Sequence, residues 1–128
     1  MPLRDLQTIT LFVEDLDAAR RFYAAVFEGH ELFADDVSTA LSIGNVVVNL
    51  LQADQAGDLV EPGAVGSPGA ARCLLTVEVA DVDAVCAELA ELRVPLRNGP
   101  QDRPWGVRTA TFADPAGHLW EVAAPRAG

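Results

Sequence analysis

One short segment of this chain occurs twice, and the repeat restricts the possible folds more than any other feature. Val-Glu-Asp-Leu-Asp-Ala at residues 13–18 returns as Val-Ala-Asp-Val-Asp-Ala at residues 79–84, a shift of 66 residues. Before each copy, every second residue falls on one face, as in a β-strand; these are Gln7, Ile9, Leu11 and Val13, then Cys73, Leu75, Val77 and Val79. The repeat therefore predicts one structural unit that is present twice.

Each copy of the segment also predicts the start of a helix. Asp15 and Asp81 suit the N-cap position, because a carboxylate can accept hydrogen bonds from the free N–H groups of the first turn. After each cap the apolar residues recur at helical spacing. They are Leu16, Ala19, Phe22, Tyr23, Val26 and Phe27, then Val82, Val85, Cys86, Leu89 and Leu92. We expect Gly29 to end the first helix in a left-handed conformation and Pro95 to help end the second.

Three short strand candidates follow each predicted helix. They are residues 31–33, 38–43 and 45–51 in the first half, and 96–98, 106–113 and 118–123 in the second. Asp-Pro-Ala-Gly at residues 114–117 is a strong turn signal between the last two. Each half is therefore predicted to be β-α-β-β-β, and the fold class is α+β with two tandem βαβββ modules.

The two modules are expected to form one domain over residues 1–128. Module 1 is predicted at about residues 4–52 and module 2 at about residues 72–125. The segment between them, about residues 53–71, is rich in Gly, Ala and Pro and is long for a simple connection. It is interpreted as a linker, with a flap over a binding site as the alternative.

Charge and composition exclude several classes of partner. The net charge is −10, and nine basic residues, all arginine, are spread among nineteen acidic ones, which argues against binding to nucleic acid. No apolar run approaches the roughly 20 residues that span a bilayer, and the N-terminus lacks a signal-peptide pattern. We therefore expect a cytoplasmic protein without membrane partners. Cys73 and Cys86 are interpreted as buried, unpaired thiols.

Two segments of the chain resemble the vicinal oxygen chelate superfamily, which includes glyoxalase I, extradiol dioxygenases and bleomycin-resistance proteins. They are residues 13–23, VEDLDAARRFY, and residues 112–121, FADPAGHLWE. The resemblance covers nearly the whole chain. It implies a domain of the glyoxalase/bleomycin-resistance type, in which curved mixed sheets enclose a cavity with the helices outside, and it implies a homodimer.

In the metal enzymes of that superfamily, four ligands, mostly His and Glu, come from the first and last strands of the two modules. Carried over one by one, those positions fall on Thr8, on Val48 or Asn49, on Leu74 and on Glu121. Only Glu121 keeps the ligand chemistry, since divalent transition metals favour imidazole, thiolate and carboxylate. The two histidines do not replace the others: His30 is expected in a turn in water, and His118 is expected to face away from Glu121. We expect no metal and no cofactor.

The predicted cavity is defined by the sheet face that carries Glu121. Trp105 precedes a long strand beside Gly106, where an indole can stack on a ring or a cation, or can instead close one end of the core. Arg108 could pair with Glu121 or Glu78, bind an anionic group or remain in solvent. Glu121 itself is a candidate general base, an anchor for a cation, or a structural residue satisfied by Thr8, Thr10 or Arg108. The predicted ligand-binding residues are Thr8, Thr10, Phe12, Asn49, Trp105, Arg108 and Glu121.

Three functions remain open at this point. The first is a metal-free protein that binds a small aromatic or cationic molecule, as drug-resistance members of the superfamily do. The second is a metal-dependent lyase, isomerase or dioxygenase with atypical ligands. The third is a metal-free enzyme that uses Glu121 as its catalytic base. The lost ligands favour the first function over catalysis.

Overall fold

The repeated segment has the same local structure in both halves. In the computed structural model, which describes Met1 and residues 3–126, Asp15 accepts a hydrogen bond from the Ala18 N–H at 3.1 Å and Asp81 accepts one from the Ala84 N–H at 3.1 Å. Both predicted N-caps are confirmed. The chain divides into two compact units, residues 1–67 and residues 68–128.

The first unit contains one four-stranded mixed sheet and one long helix. Its strand order is β1-β4-β3-β2, with β1 parallel to β4 and the other neighbours antiparallel. The elements are β1 (Thr8–Val13), α1 (Leu16–Phe27), β2 (His30–Ala34), β3 (Ser38–Ile43) and β4 (Val46–Gln52). Because parallel strands need a crossover connection, the βαβ path places α1 against one face of the sheet.

The core of the first unit lies between α1 and that face. Its fully buried residues include Val13, Val48, Leu50 and Tyr23, and Tyr23 stacks on Phe27 with ring centroids 5.4 Å apart. Thr8, Thr10 and Phe12 alternate along β1 with the residues that face α1, so they lie on the opposite face of the sheet. None of the three is buried. The strand alternation read from the sequence therefore assigns both faces of β1 correctly.

Helix α1 ends differently from the prediction. The left-handed residue is Glu28, with φ of 51°, and its N–H donates to the Tyr23 carbonyl. Gly29 does not have a positive φ. A Cβ at Gly29 would lie 3.4 Å from the Leu41 Cβ, which is an ordinary van der Waals contact.

The segment after β4 is partly helical, although it was predicted as a linker. A 3₁₀ turn spans Ala53–Gln55 and a single helical turn, α2, spans Gly57–Val60. Ala56 between them is fully buried. The predicted linker therefore begins with ordered helical turns that belong to the first unit.

The second unit repeats this arrangement with the strand order β5-β8-β7-β6. Strand β5 is parallel to β8 and the other neighbours are antiparallel. The elements are β5 (Leu75–Glu78), α3 (Val82–Glu91), β6 (Leu96–Asp102), β7 (Val107–Ala113) and β8 (Leu119–Pro125). The matching strand orders confirm the predicted α+β fold of two βαβββ modules.

The core of the second unit lies on the face of its sheet that α3 covers. Phe112, Trp120 and Val122 are each at most 4% exposed, and Val82 and Leu89 come from the helix. Trp120 is thus a core residue, as predicted from the alternation of side chains along β8. Cys73 is exposed rather than buried, and Cys86 is partly buried. Within the described residues, no helix has the length and apolar character needed to cross a membrane.

Candidate functional site

The second sheet has a polar face on the side opposite α3. We call it the open face of the second sheet and define it by Thr76, Asn98, Thr109, Thr111 and Glu121. The strand register places Asn98 beside Thr111, Thr111 beside Glu121, and Glu121 beside Thr76. Paired residues of neighbouring strands point to the same face, so one row of polar side chains crosses all four strands.

Glu121 lies near the centre of that row. Its Oε1 accepts a hydrogen bond from the Thr76 hydroxyl at 3.1 Å. The sequence suggested Thr8, Thr10 or Arg108 as the partner, and the structure supplies Thr76 instead. Within residues 3–126 no other hydrogen bond reaches this carboxylate, and the side chain is partly buried. A partly buried carboxylate with one free oxygen can accept a hydrogen bond from a ligand.

A second group on this face is organised around Arg103. Its Nε donates to the Thr109 hydroxyl at 2.9 Å, and one terminal nitrogen donates to the Asn98 side-chain oxygen at 3.1 Å. Thr109 is only 1% exposed, so the guanidinium satisfies a buried hydroxyl. We call Asn98, Arg103, Trp105 and Thr109 the Arg103 cluster.

Trp105 belongs to the Arg103 cluster through its ring. The indole lies beside the Arg103 guanidinium, with 6.0 Å from the guanidinium carbon to the ring centroid. The residue stands in the turn between β6 and β7 and is 69% exposed. The Gly106 N–H donates to the Arg103 carbonyl at 3.1 Å, which closes this turn. The turn therefore presents a flat aromatic surface to solvent beside a cation.

Arg108 points to the other side of the sheet. It binds Asp83 of α3 at 2.9 Å and Asp102 of β6 at 3.2 Å. The pairing with Glu121 or Glu78 that the sequence left open is therefore not the one formed. The hydrogen bonds from Arg108 lower the pKa of the Asp83 carboxyl below its ordinary value of 3.8. This arginine links the helix to the sheet and does not belong to the open face.

The Asp83–Arg108 contact predicts a pH dependence of stability. A carboxyl whose pKa is lowered in the folded state stabilises that state above its unfolded pKa, near 3.8, and loses the effect as the pH falls through the folded value. We expect the urea midpoint of Asp83→Asn to lie below that of the wild type at pH 7 and to converge with it below pH 3.8. Glu91→Gln, on the same helix, serves as control. A constant difference across this range would contradict the assignment.

The first unit carries four of the predicted ligand-binding residues. Thr10 is beside Asn49, Thr8 is beside Val47 and Phe12 is beside Leu51 on β1 and β4. These residues lie on the sheet face opposite α1, whereas Val48 is fully buried on the α1 side. Of the two candidates Val48 and Asn49, only Asn49 shares a sheet face with Thr10. The face has hydroxyl, amide and aromatic groups but no carboxylate from β1 or β4.

The donor set at the four superfamily metal positions does not fit a divalent transition metal. Thr8 and Asn49 are weak neutral donors, and Leu74 precedes β5 and has no donor atom. His30 is an exposed residue at the start of β2 rather than in a turn. The His118 Nδ1 lies 2.9 Å from the Asp114 carboxylate. In the described part of the chain no three His, Cys, Asp or Glu side chains are grouped in a way that could hold a metal.

An acidic groove at the start of α1 is explained by local structure. The Gln52 side chain donates to the Glu14 carbonyl at 2.6 Å and accepts from the Leu16 N–H at 3.2 Å. Asp35 accepts from the N–H groups of Val37 and Ser38, which lower its pKa. These polar groups cap a helix and close a turn. The open face of the second sheet is therefore the better candidate site.

Comparisons with known proteins agree with this architecture. The family model of the Glyoxalase/Bleomycin resistance protein/Dioxygenase superfamily matches residues 5–122. No curated protein matches the chain. A glyoxalase/bleomycin resistance protein/dioxygenase from Nocardioides aligns with a TM-score of 0.85 and 20% identity, covering 100% of this chain and 87% of its own.

Two further solved structures differ in their described activities. TnmS3, an antibiotic binding protein from Streptomyces sp. CB03234, aligns with a TM-score of 0.72 and 25% identity, covering 98% of this chain and 99% of its own. Lactoylglutathione lyase from Agrobacterium tumefaciens aligns with a TM-score of 0.77 and 24% identity, covering 97% and 96%. At this identity the lyase supports the fold alone.

Proposed function

We propose that this chain, which belongs to the Glyoxalase/Bleomycin resistance protein/Dioxygenase superfamily, binds a small aromatic or cationic molecule without a metal ion. The observation that carries the proposal is the open face of the second sheet, where Glu121 and the Arg103 cluster provide polar anchors and Trp105 provides a stacking surface. Small-molecule sites typically combine an apolar or aromatic surface with a few placed polar groups. This face has that composition.

The chemistry of Glu121 supports binding of a hydrogen-bond donor or a cation. Thr76 fixes one carboxylate oxygen at 3.1 Å and leaves the other for a ligand. Charge-assisted hydrogen bonds to a carboxylate are stronger than those between neutral groups. Because Glu121 is partly buried, solvent screens such a bond less than it would on an exposed side chain.

The donor set supports a metal-free mode of binding. Of the four positions carried over from the superfamily, only Glu121 keeps a carboxylate, while Thr8 and Asn49 offer neutral oxygens and Leu74 offers no donor, and Ni, Zn, Fe and Mn do not favour such a set of donors. The antibiotic binding protein TnmS3, at 25% identity over nearly the full length of both chains, is consistent with a sequestering role.

The first test uses proflavine, an aromatic cation, as the probe. We expect saturable binding to the wild-type chain in buffer with EDTA, measured by calorimetry and by quenching of tryptophan fluorescence. Trp105→Leu should weaken binding about tenfold, equivalent to ~1.4 kcal/mol, because the stacking surface is lost. Glu121→Gln should weaken proflavine binding while leaving the fold intact by circular dichroism.

The controls separate this site from non-specific adsorption. Leu92→Ala removes another exposed apolar side chain and should leave the affinity unchanged. Elemental analysis of protein purified without chelators should find far less than one metal ion per chain. Absence of proflavine binding, or stoichiometric Ni, Zn, Fe or Mn that binding requires, would contradict the proposal.

A second candidate function is general-base catalysis by Glu121 without a metal. It is favoured by the free carboxylate oxygen, which can accept a proton from a bound molecule. The two candidates differ in their response to Glu121→Gln. A binding site loses affinity, whereas a catalytic base loses turnover while the affinity is retained.

A further inference from the structure

The partly buried arginines in the described part of the chain differ in whether they pair with a carboxylate. Three arginines in the described part of the chain are partly buried: Arg20, Arg103 and Arg108. Arg20 contacts Glu31 at 3.0 Å and Arg108 contacts Asp83 at 2.9 Å. Within residues 3–126, the Arg103 guanidinium donates hydrogen bonds to neutral groups alone, the Thr109 hydroxyl and the Asn98 amide oxygen. In a chain of net charge −10, with nineteen acidic residues, a partly buried guanidinium that has no carboxylate partner among the described residues is unexpected.

The donors of Arg103 are only partly used. A guanidinium has five N–H donors, and the two hydrogen bonds within the described residues occupy the Nε and one position on a terminal nitrogen. These bonds hold the group against the sheet face. The remaining donors form part of a planar fork, the geometry that binds carboxylate, sulfate or phosphate groups with two parallel hydrogen bonds.

The position of Arg103 connects this cation to the proposed ligand site. Its partner Asn98 occupies the same cross-strand row as Thr111 and Glu121. With neighbouring strands about 4.8 Å apart, the Cα atoms of Asn98 and Glu121 are separated by about 10 Å. The Trp105 ring lies beside the guanidinium. One small aromatic molecule can therefore stack on the indole while an acidic substituent reaches Arg103.

We infer that Arg103 is a specificity-determining residue that recognises an acidic group on the aromatic ligand. The inference rests on the proposed function and narrows its ligand class to aromatic compounds that carry a carboxylate or a similar acid. The same ligand can carry a hydrogen-bond donor or a basic group toward Glu121. The acidic protein would repel such a ligand overall, so Arg103 is the local feature that permits its binding.

The test compares two probes that differ only in charge, 2-naphthoate and 2-naphthamide. We expect the wild-type chain to bind 2-naphthoate at least tenfold more tightly in calorimetric titrations at low salt. Arg103→Gln should abolish this preference while changing the affinity for 2-naphthamide little, and Arg103→Lys should restore part of it. Raising the salt concentration should narrow the preference in the wild type.

A control variant and the pattern of outcomes distinguish failure of the inference from failure of the proposed function. Arg97→Gln, at an exposed arginine of β6, the strand that ends just before Arg103, should leave both affinities unchanged. Equal affinity for the two probes, or an equal loss for both in Arg103→Gln, would indicate that Arg103 has only a structural role and would overturn the inference. Failure of both naphthyl probes to bind while proflavine binds would overturn the inference alone, whereas failure of all three probes would overturn the proposed function together with the inference.

Discussion

Replacing Gly99 by alanine should destabilise the fold by about 3 kcal/mol or more, the largest loss expected of a glycine-to-alanine substitution in the described part of the chain. Gly99 has φ of +79°, and a Cβ there would lie 2.5 Å from the Thr109 carbonyl oxygen and 2.9 Å from the Ala110 Cα. Both contacts are with backbone, which cannot move aside as a flexible side chain can. Chemical denaturation at neutral pH measures the effect.

Gly44 provides the matched control for that substitution. It also has a positive φ, +54°, but nothing lies within 4 Å of a Cβ placed there. Gly44→Ala should therefore cost only the strain of the left-handed conformation, about 1 kcal/mol. If the two variants lose similar stability, the close approach at Gly99 does not have the importance assigned to it.

The Gly99 contact also matters for the candidate site. Strand β6 is irregular on both sides of Asn98, and its pairing with β7 resumes at Gln101. At Gly99 the backbone of β6 comes close to Thr109 and Ala110 of β7. The neighbouring residue Asn98 accepts a hydrogen bond from Arg103. We therefore expect Gly99→Ala to disturb the Arg103 cluster as well as the stability.

Phe112→Ala should cost about 3–5 kcal/mol, because it removes a large side chain from the core of the second unit. Phe112 is 2% exposed and lies opposite Trp120 and Leu96 in the sheet. Strand β7, which carries Phe112, is hydrogen-bonded to β6 on one side and to β8 on the other, so it cannot move to close the cavity that alanine leaves. Thermal and urea unfolding of the variant measure the loss.

Phe33→Ala is the matched substitution at an exposed phenylalanine. Phe33 is 56% exposed on the edge strand β2, so its truncation should change stability by about 0.5 kcal/mol or less. A loss at Phe33 comparable to that at Phe112 would mean that β2 is covered in solution. A small loss at Phe112 would contradict its place in the core.

The architecture was readable from the sequence because the repeat contains its own local determinants. Asp15 and Asp81 follow alternating strands and precede helical stripes, and each carboxylate caps its helix as expected. The alternation also assigned Trp120 to the core. Such signals are local, because a helix cap or a two-residue alternation depends on residues that lie within a few positions of one another in the chain.

The candidate site was only partly readable for the same reason. The alternation on β8 placed Glu121 opposite to Trp120, but its partner Thr76 is a cross-strand neighbour that no local pattern specifies. Arg103 and Asn98 were not predicted as site residues. The pairing of β6 with β7 is irregular, so the two-residue alternation that shows which sheet face a side chain lies on is lost there. The side of the sheet that Arg108 faces was left open, and Asp83 on α3 determines its pairing.

Strand β8 lies between β5 and β7, so Glu121 is held by ladders on both sides. Trp105, by contrast, stands in a short turn at one end of β6 and β7. Substitutions in that turn can alter the aromatic surface without disturbing the sheet, whereas a shift of the carboxylate would require the breaking of two ladders. If the proposed function holds, ligand preference can therefore be engineered by exchange of this turn, while the two ladders keep the Glu121 carboxylate in place.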